Sequence, residues 1–337
     1  MKKIFLIGLA ATAMLASCSN DETVEMAQSK AIGFSNAFVN NGTRSIVDPS
    51  FTTTSLENFA VYGFTQNGQI FDGTTVSAPG WTYSPLQYWV AGNTYTFGAV
   101  APAAQSANVS DVTLTEGNVD MKVAFTNDGV TDLLHAAPKA IPCDDAYAKN
   151  PDKVKMTFSH QLSKVKFSFE NAVGEGYNVK VSDVKITDAY KTGTLTVAAA
   201  GNTWSDQADN TLNLDFGNVV ADDATADDAA VIANAATLES YNEKLMIPMD
   251  ATATYTVTFT AKLYQGDVLL GSYDHEVKIK KVEFKLGYCY DFKASLTHEN
   301  ITGKPLNPIE FDVTNVEDWN KTEIDQELVV PTTQSGN

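Results

Sequence analysis

The sequence is poor in the residue types that most catalytic and metal sites need. Its 337 residues include only 3 cysteines and 4 histidines. That supply is too small for a zinc cluster or for the disulfide framework of a small secreted domain. The histidines form no HxxxH pattern, and the nucleophile elbow, the Walker A loop and the GxGxxG fingerprint are all absent. We therefore expect no enzyme and no bound cofactor or metal.

Positive charge is also scarce. The chain carries 23 Lys+Arg against 41 Asp+Glu, a formal net charge of -18. Such an acidic surface repels phosphate groups, so nucleic acid is not an expected partner. Hydrophobic residues nevertheless make up 44% of the chain and aromatics 10%, which is enough for a packed core. At roughly 150 residues per domain, the length predicts about two domains.

The N-terminus reads as an export signal. A basic start at Lys2 and Lys3 precedes an apolar run that ends near Ala16, too short to span a bilayer stably. We assign residues 1–17 to a signal peptide. The following Leu15-Ala16-Ser17-Cys18 resembles the bacterial lipobox, which predicts lipidation of Cys18 and attachment to the outer membrane through that lipid. The acidic stretch just after Cys18 resembles the export signal of surface-exposed lipoproteins, and residues 18–30 form a polar tether.

Alternating apolar residues predict an all-β fold. Many short strands separated by turn residues favour two antiparallel β-sandwiches. The first strand is predicted over residues 31–39, with Ile32, Phe34 and Phe38 on its apolar positions.

A polar, charged stretch around residue 150 predicts the domain boundary, which gives sandwiches over 31–150 and 151–319 and a C-terminal tail over 320–337. Just beyond this boundary the buried parity switches at Ser163-Lys164, which implies a β-bulge or a crossing between sheets.

Two residue sets leave alternatives open. Cys143 and Cys289 could pair as a disulfide or remain isolated thiols, and spacing favours the latter. An aromatic cluster that includes Trp81 and Trp89 could stack on sugar rings, although core packing is the more common use of such residues.

Several motifs resemble fimbrillin-like proteins, and they occur in the order of that family. Gln87-Tyr88-Trp89 followed by Tyr95-Thr96-Phe97-Gly98-Ala99-Val100-Ala101-Pro102 resembles the family's "YW…Y.F.A..P". Asp132-Leu133-Leu134-His135-Ala136 resembles "DLL.A", Phe158-Ser159-His160-Gln161-Leu162-Ser163-Lys164 resembles "F.H.LSK", and Ile309-Glu310-Phe311 with Val316 and Trp319 resembles "I.F…V..W". Together these motifs cover nearly the whole mature chain.

The resemblance implies a subunit of a type V pilus, a fimbria that supports adhesion and is built from lipoprotein precursors. It implies two tandem transthyretin-like sandwiches. It also implies that an Arg-specific protease cuts after the first strand and removes lipid and strand together. The vacated groove then accepts a strand donated by another fimbrial subunit.

On this chain, the resemblance places the cut between Arg44 and Ser45. The displaced strand would carry Ile32, Phe34 and Phe38, and the donor strand would lie in the tail. Its candidates are Ile324, Leu328, Val329 and Val330. The alternatives are that the first strand stays in place, or that the protein is a lipid-anchored glycan-binding lipoprotein that does not polymerise, with Trp81 and Trp89 as its contacts.

Overall fold

The structure is a computed structural model. It describes residues 30–39, 56–221, 228–248, 254–280, 282–303 and 307–318. Every structural statement below concerns those residues.

The described part of the chain forms twenty-one strands and two short helices. They are β1 (Phe34–Val39), β2 (Asn58–Thr65), β3 (Gly68–Ser77), β4 (Asn93–Ala101), β5 (Val109–Leu114), β6 (Met121–Thr126), β7 (Leu134–Ala136), β8 (Ile141–Cys143), α1 (Asp145–Lys149), β9 (Val154–His160), β10 (Ser163–Asn171), β11 (Tyr177–Ala189), β12 (Thr192–Val197), β13 (Thr203–Ala208), β14 (Leu212–Gly217), β15 (Val219–Val220), β16 (Thr237–Ser240), β17 (Lys244–Met246), β18 (Thr254–Gln265), β19 (Val268–Lys280), β20 (Tyr288–Leu296), α2 (His298–Ile301) and β21 (Phe311–Asp318). The prediction of an all-β fold is confirmed.

These strands form four sheets. The first has the order β1-β9-β7-β4-β2-β3, with β8 paired to β4. The second has the order β15-β16-β10-β20-β21, with β17 paired to β10. The third is β14-β11-β18-β19 and the fourth is β13-β12-β6-β5. The second and third sheets enclose one core, and the first and fourth enclose another.

A third apolar cluster lies on the other face of the first sheet. It contains side chains of β1, β2, β3, β4, β7 and β9, together with Trp89 from the connection before β4. The two faces of β2 show why one sheet can serve two cores. Phe59 and Val61 point into this third cluster, while Ala60 and Tyr62 point to the core shared with the fourth sheet. Successive side chains of a strand point to opposite faces, so a run of six buried residues in β2 is expected.

The parity switch predicted near Ser163 is a crossing between sheets. Met156 and Phe158 of β9 are buried in the cluster on the first sheet, and Val165 and Phe167 of β10 are buried in the core of the second and third. Gln161 and Leu162 connect the two strands. The prediction is therefore confirmed, with the switch two residues earlier than the sequence placed it.

The prediction of purely antiparallel sheets is wrong in two places. Strand β1 runs parallel to β9, with Phe34 opposite Val154. Strand β10 runs parallel to β20, with Val165 opposite Tyr290. Alternation of apolar residues is the same in both kinds of ladder, so it carries no information about strand direction.

Strand pairing also crosses the predicted boundary at residue 150. Strand β9 follows that boundary but lies between β1 and β7 in the first sheet. Strand β12 pairs with β6 along its whole length, from Thr192 opposite Thr126 to Val197 opposite Met121. Segments from the second half of the chain thus complete the sheets of the first half.

Replacing Phe167 by alanine should destabilise the protein. Its ring is fully buried and lies 4.8 Å from Phe216 and 5.2 Å from Phe311. Loss of a buried phenylalanine side chain costs about 3–5 kcal/mol because a cavity remains. Guanidinium unfolding followed by circular dichroism measures the change. Leu269→Ala is the control, since that side chain is 51% exposed and should change stability by less than about 0.5 kcal/mol.

Candidate functional site: the groove that holds the first strand

The N-terminal segment is held along two different edges. Near its start, the backbone N–H of Trp89 donates to the carbonyl of Lys30 at 3.0 Å, and the N–H of Ile32 donates to the carbonyl of Gln87 at 2.8 Å. One residue later the segment changes partner, and the N–H of Val154 donates to the carbonyl of Gly33 at 2.8 Å. From there β1 pairs in parallel with β9. The segment therefore fills a slot with a backbone edge on each side.

The floor of this slot is aromatic. Phe34 is 1% exposed, and its ring centroid lies 5.6–6.1 Å from four other rings, in edge-on geometry. These rings belong to Phe59, Phe71, Tyr83 and Phe97. Edge-to-face pairs at such distances contribute about 0.5–1.5 kcal/mol beyond burial. We call the slot, formed by these four side chains, residues 87–89 and β9, the first-strand groove.

Ile32 and Phe34, which alternation places on the apolar positions of the first strand, occupy the groove. Ile32 is also 1% exposed and belongs to the same cluster as Phe34. For Phe38 the structure describes the backbone alone, which pairs opposite Thr157. Displacement of these residues stays a prediction.

The other predicted site residues lie outside the described part of the chain. They are Cys18, Arg44, Ser45, Ile324, Leu328, Val329 and Val330.

The structure separates the two tryptophans of the glycan hypothesis. Trp89 is fully buried, with its ring 4.6 Å from Tyr95 and 5.1 Å from Tyr147. No face of this indole is open to a sugar, which agrees with the favoured interpretation of core packing and speaks against the alternative glycan contact for Trp89. Its alternation with exposed Tyr88 explains the burial, because neighbouring residues of an extended segment point to opposite sides. Trp81 is half-buried against Phe59, and its glycan role stays a prediction.

Sequence reasoning missed Tyr83 as a site residue. Its hydroxyl donates a 2.6 Å hydrogen bond to the carbonyl of Ile32 and accepts one from the N–H of Gln87 at 3.3 Å. Burial raises the pKa of this phenol above its ordinary value, so the hydroxyl keeps its proton at neutral pH. The only signal in the sequence was its place in an aromatic cluster, which did not distinguish a groove residue from core packing.

Two of the family-like motifs meet beside the groove. Strand β7 carries the DLL.A segment and pairs with β9, which carries the F.H.LSK segment, with Leu134 opposite His160. Nδ1 of His160 is bonded to the carboxylate of Asp132, and both groups are largely buried. His160 is therefore a buried histidine with a hydrogen-bond partner. The pair ties the C-terminal end of β9 to the segment before β7.

Cys143 and Cys289 form no disulfide with each other, which confirms the favoured interpretation. In the described residues no three His, Cys, Asp or Glu side chains converge as metal ligands would. Across the same residues, we find no helix with the length and apolar character needed to cross a membrane.

The fold and the groove define an all-β protein whose first strand is held by hydrogen bonds from two separate neighbours. The chain belongs to the fimbrillin-like family, since the model of that family matches residues 43–319. The family resemblance predicted from the motifs is therefore confirmed. The match begins at Thr43, after the segment that occupies the groove.

Solved structures bear on the fold alone. A fimbrial protein from Bacteroides vulgatus ATCC 8482 has a TM-score of 0.56 at 16% identity, over 86% of this chain and 99% of its own. A protein assigned to cell adhesion from Bacteroides uniformis ATCC 8492 has a TM-score of 0.46 at 16% identity, over 87% and 99%. One assigned to polysaccharide binding from Bacteroides thetaiotaomicron VPI-5482 reaches 0.36 at 12% identity, over 78% and 88%. No curated protein matches the chain.

The buried His135 should make the protein less stable in mild acid. Burial lowers its pKa from 6.5 to about 4. Between these values the unfolded chain binds a proton that the folded chain does not, so stability falls as pH falls through that window. The loss reaches about 3 kcal/mol at most. Urea unfolding of the parent and of His135→Leu from pH 7 to 4 measures it.

The His135→Leu variant should lose a large part of this pH dependence. Some will remain, because burial also lowers the pKa of His275. Leu134→Ala is the control, since it removes a buried neighbour that does not titrate. It should lower stability at every pH and keep the slope of the parent. An unchanged slope in His135→Leu would show that this histidine does not contribute.

Proposed function

We propose that this protein is the precursor of a structural subunit of a cell-surface fimbria that supports adhesion. It is anchored in the outer membrane through a lipid on Cys18 until a protease cuts between Arg44 and Ser45. The first strand then leaves, and a strand of another subunit takes its place. The transthyretin-like type of the two sandwiches is part of the same proposal.

The observation that carries this proposal is the way residues 30–35 are bound. Apart from its covalent link to the rest of the chain, this segment is held by a few backbone hydrogen bonds and by two buried side chains, Ile32 and Phe34. Burial of two such side chains contributes about 3–6 kcal/mol. That free energy is large enough to hold the segment in the intact chain. It is small enough for a competing strand to replace it once the chain is cut.

In this proposal the C-terminal tail is the strand that this subunit donates to another fimbrial subunit. Ile324, Leu328, Val329 and Val330 are its apolar residues, and Pro331 ends the run because it lacks a backbone donor. The family membership and the fimbrial protein of similar fold support a role in a fimbria. A non-polymerising glycan-binding protein is the weaker candidate, because one of its two proposed contacts is buried.

Processing at Arg44 can be tested cleanly because Arg44 is the chain's sole arginine. Mass spectrometry of protein released from the cell surface should find a mature N-terminus at Ser45. Arg44→Ala should abolish that terminus, leave acylated Cys18 in place and prevent fimbriae. Lys30→Ala, which changes the nearest upstream basic residue, is the control and should be processed normally. Fimbriae built from Arg44→Ala subunits would contradict the proposal.

A further inference from the structure

We propose that the first-strand groove selects its incoming strand by an aliphatic residue followed two positions later by an aromatic one. The strand must run parallel to β9, and it comes from a different subunit rather than from the C-terminal tail of a second copy. This inference rests on the proposed function, since it concerns the strand that replaces residues 30–39.

The two edges of the groove determine the direction of the strand. Residues 87–89 bond to residues 30 and 32 in antiparallel fashion, with Ala31 opposite Tyr88. Strand β9 bonds to the same segment in parallel, starting from Gly33. A strand in the reverse direction would have to form a parallel ladder with residues 87–89 and an antiparallel one with β9, and the hydrogen-bond spacing of each differs from that of the bonds observed. Buried backbone groups would then stay unpaired, which proteins rarely tolerate.

Tyr83 adds a third polar contact at the aliphatic position. Its hydroxyl is held by the N–H of Gln87 and points its proton at the carbonyl of Ile32. An incoming strand must place a carbonyl at that point, between the aliphatic and the aromatic anchor. Tyr83 therefore fixes the register of the incoming strand and contributes to the affinity of the groove for it.

The aromatic position is the most selective part of the groove. Phe34 is almost completely buried and its ring meets four aromatic rings edge-on. A leucine or valine there would leave a cavity among the four surrounding rings. Ile32, two residues earlier, fills an aliphatic site in the same cluster.

The chain's own tail does not carry this pattern. Residues 320–337 contain aliphatic side chains but no aromatic residue. Beyond residue 300, the sole aliphatic residue with an aromatic one two positions later is Ile309, followed by Phe311. Phe311 belongs to β21 and already packs 5.2 Å from Phe167 and 5.7 Å from Phe169. The C-terminal region of a second copy, beyond residue 300, therefore offers no unused segment with this pattern.

Peptide exchange on the cut protein tests the selection. The protein is produced without residues 1–18. A recognition site for a sequence-specific protease is inserted after Arg44, and a fluorophore is attached near the N-terminus. After cutting, excess peptide displaces the labelled fragment, and anisotropy reports the release. The peptides are residues 30–39, the same with Phe34→Leu, the same with Ile32→Phe and Phe34→Ile together, and residues 320–331. The double change keeps the composition and reverses the order of the anchors.

The peptide of residues 30–39 should displace the fragment at the lowest concentration. Phe34→Leu and the reversed order should each weaken binding by about tenfold or more, and residues 320–331 should bind more weakly still. Tyr83→Phe in the protein should weaken binding of the parent peptide by about tenfold. The cut protein alone should stay monomeric in size-exclusion chromatography.

Two outcomes separate the inference from the proposed function. Equal displacement by all four peptides, or polymers formed by the cut protein alone, would overturn the selection and leave strand exchange intact. Retention of the fragment against every peptide, including residues 30–39, would overturn strand exchange itself.

Discussion

The contact between Phe34 and four surrounding rings is the constraint on which the first sheet depends. Its neighbours come from β2, β3, β4 and the connection before β4, while Phe34 itself comes from the strand at the opposite edge of that sheet. One side chain therefore joins the two ends of the sheet. The ring fills the apolar space between the two edges of the sheet, and the backbone hydrogen bonds to Gln87, Trp89 and Val154 hold its segment there.

The polar groups near the groove support the same arrangement. The Asp132–His160 pair ties the end of β9 to the segment before β7. Gln161 follows at once, and its carbonyl accepts a hydrogen bond from the indole of Trp204 on β13 at 2.8 Å. The crossing from the first sheet to the second is therefore fixed by buried side-chain bonds at two successive residues. Buried polar groups with partners of this kind favour one arrangement of the strands over its alternatives.

The sequence allowed most strands and the family to be predicted, because apolar alternation and motif order are local properties. The same alternation placed Ile32 and Phe34 on the apolar positions of the first strand, where both are buried. It could not predict that β1 pairs in parallel with β9 or that β10 pairs in parallel with β20, since apolar alternation is the same for both strand directions. It also could not predict the hydrogen bond from Tyr83 to Ile32, which joins residues 51 positions apart. Such contacts depend on the tertiary arrangement rather than on neighbours in the chain.

The pairing of β12 with β6 also affects the order in which the molecule can form. The core between the first and fourth sheets needs Leu195 and Val197, which arrive about seventy residues after the β6 side chains they meet. Closing such a long loop costs entropy before any contact is gained, so this core forms late. The first half of the chain is therefore not a module that folds by itself. A chain that cannot close its core early remains open for longer.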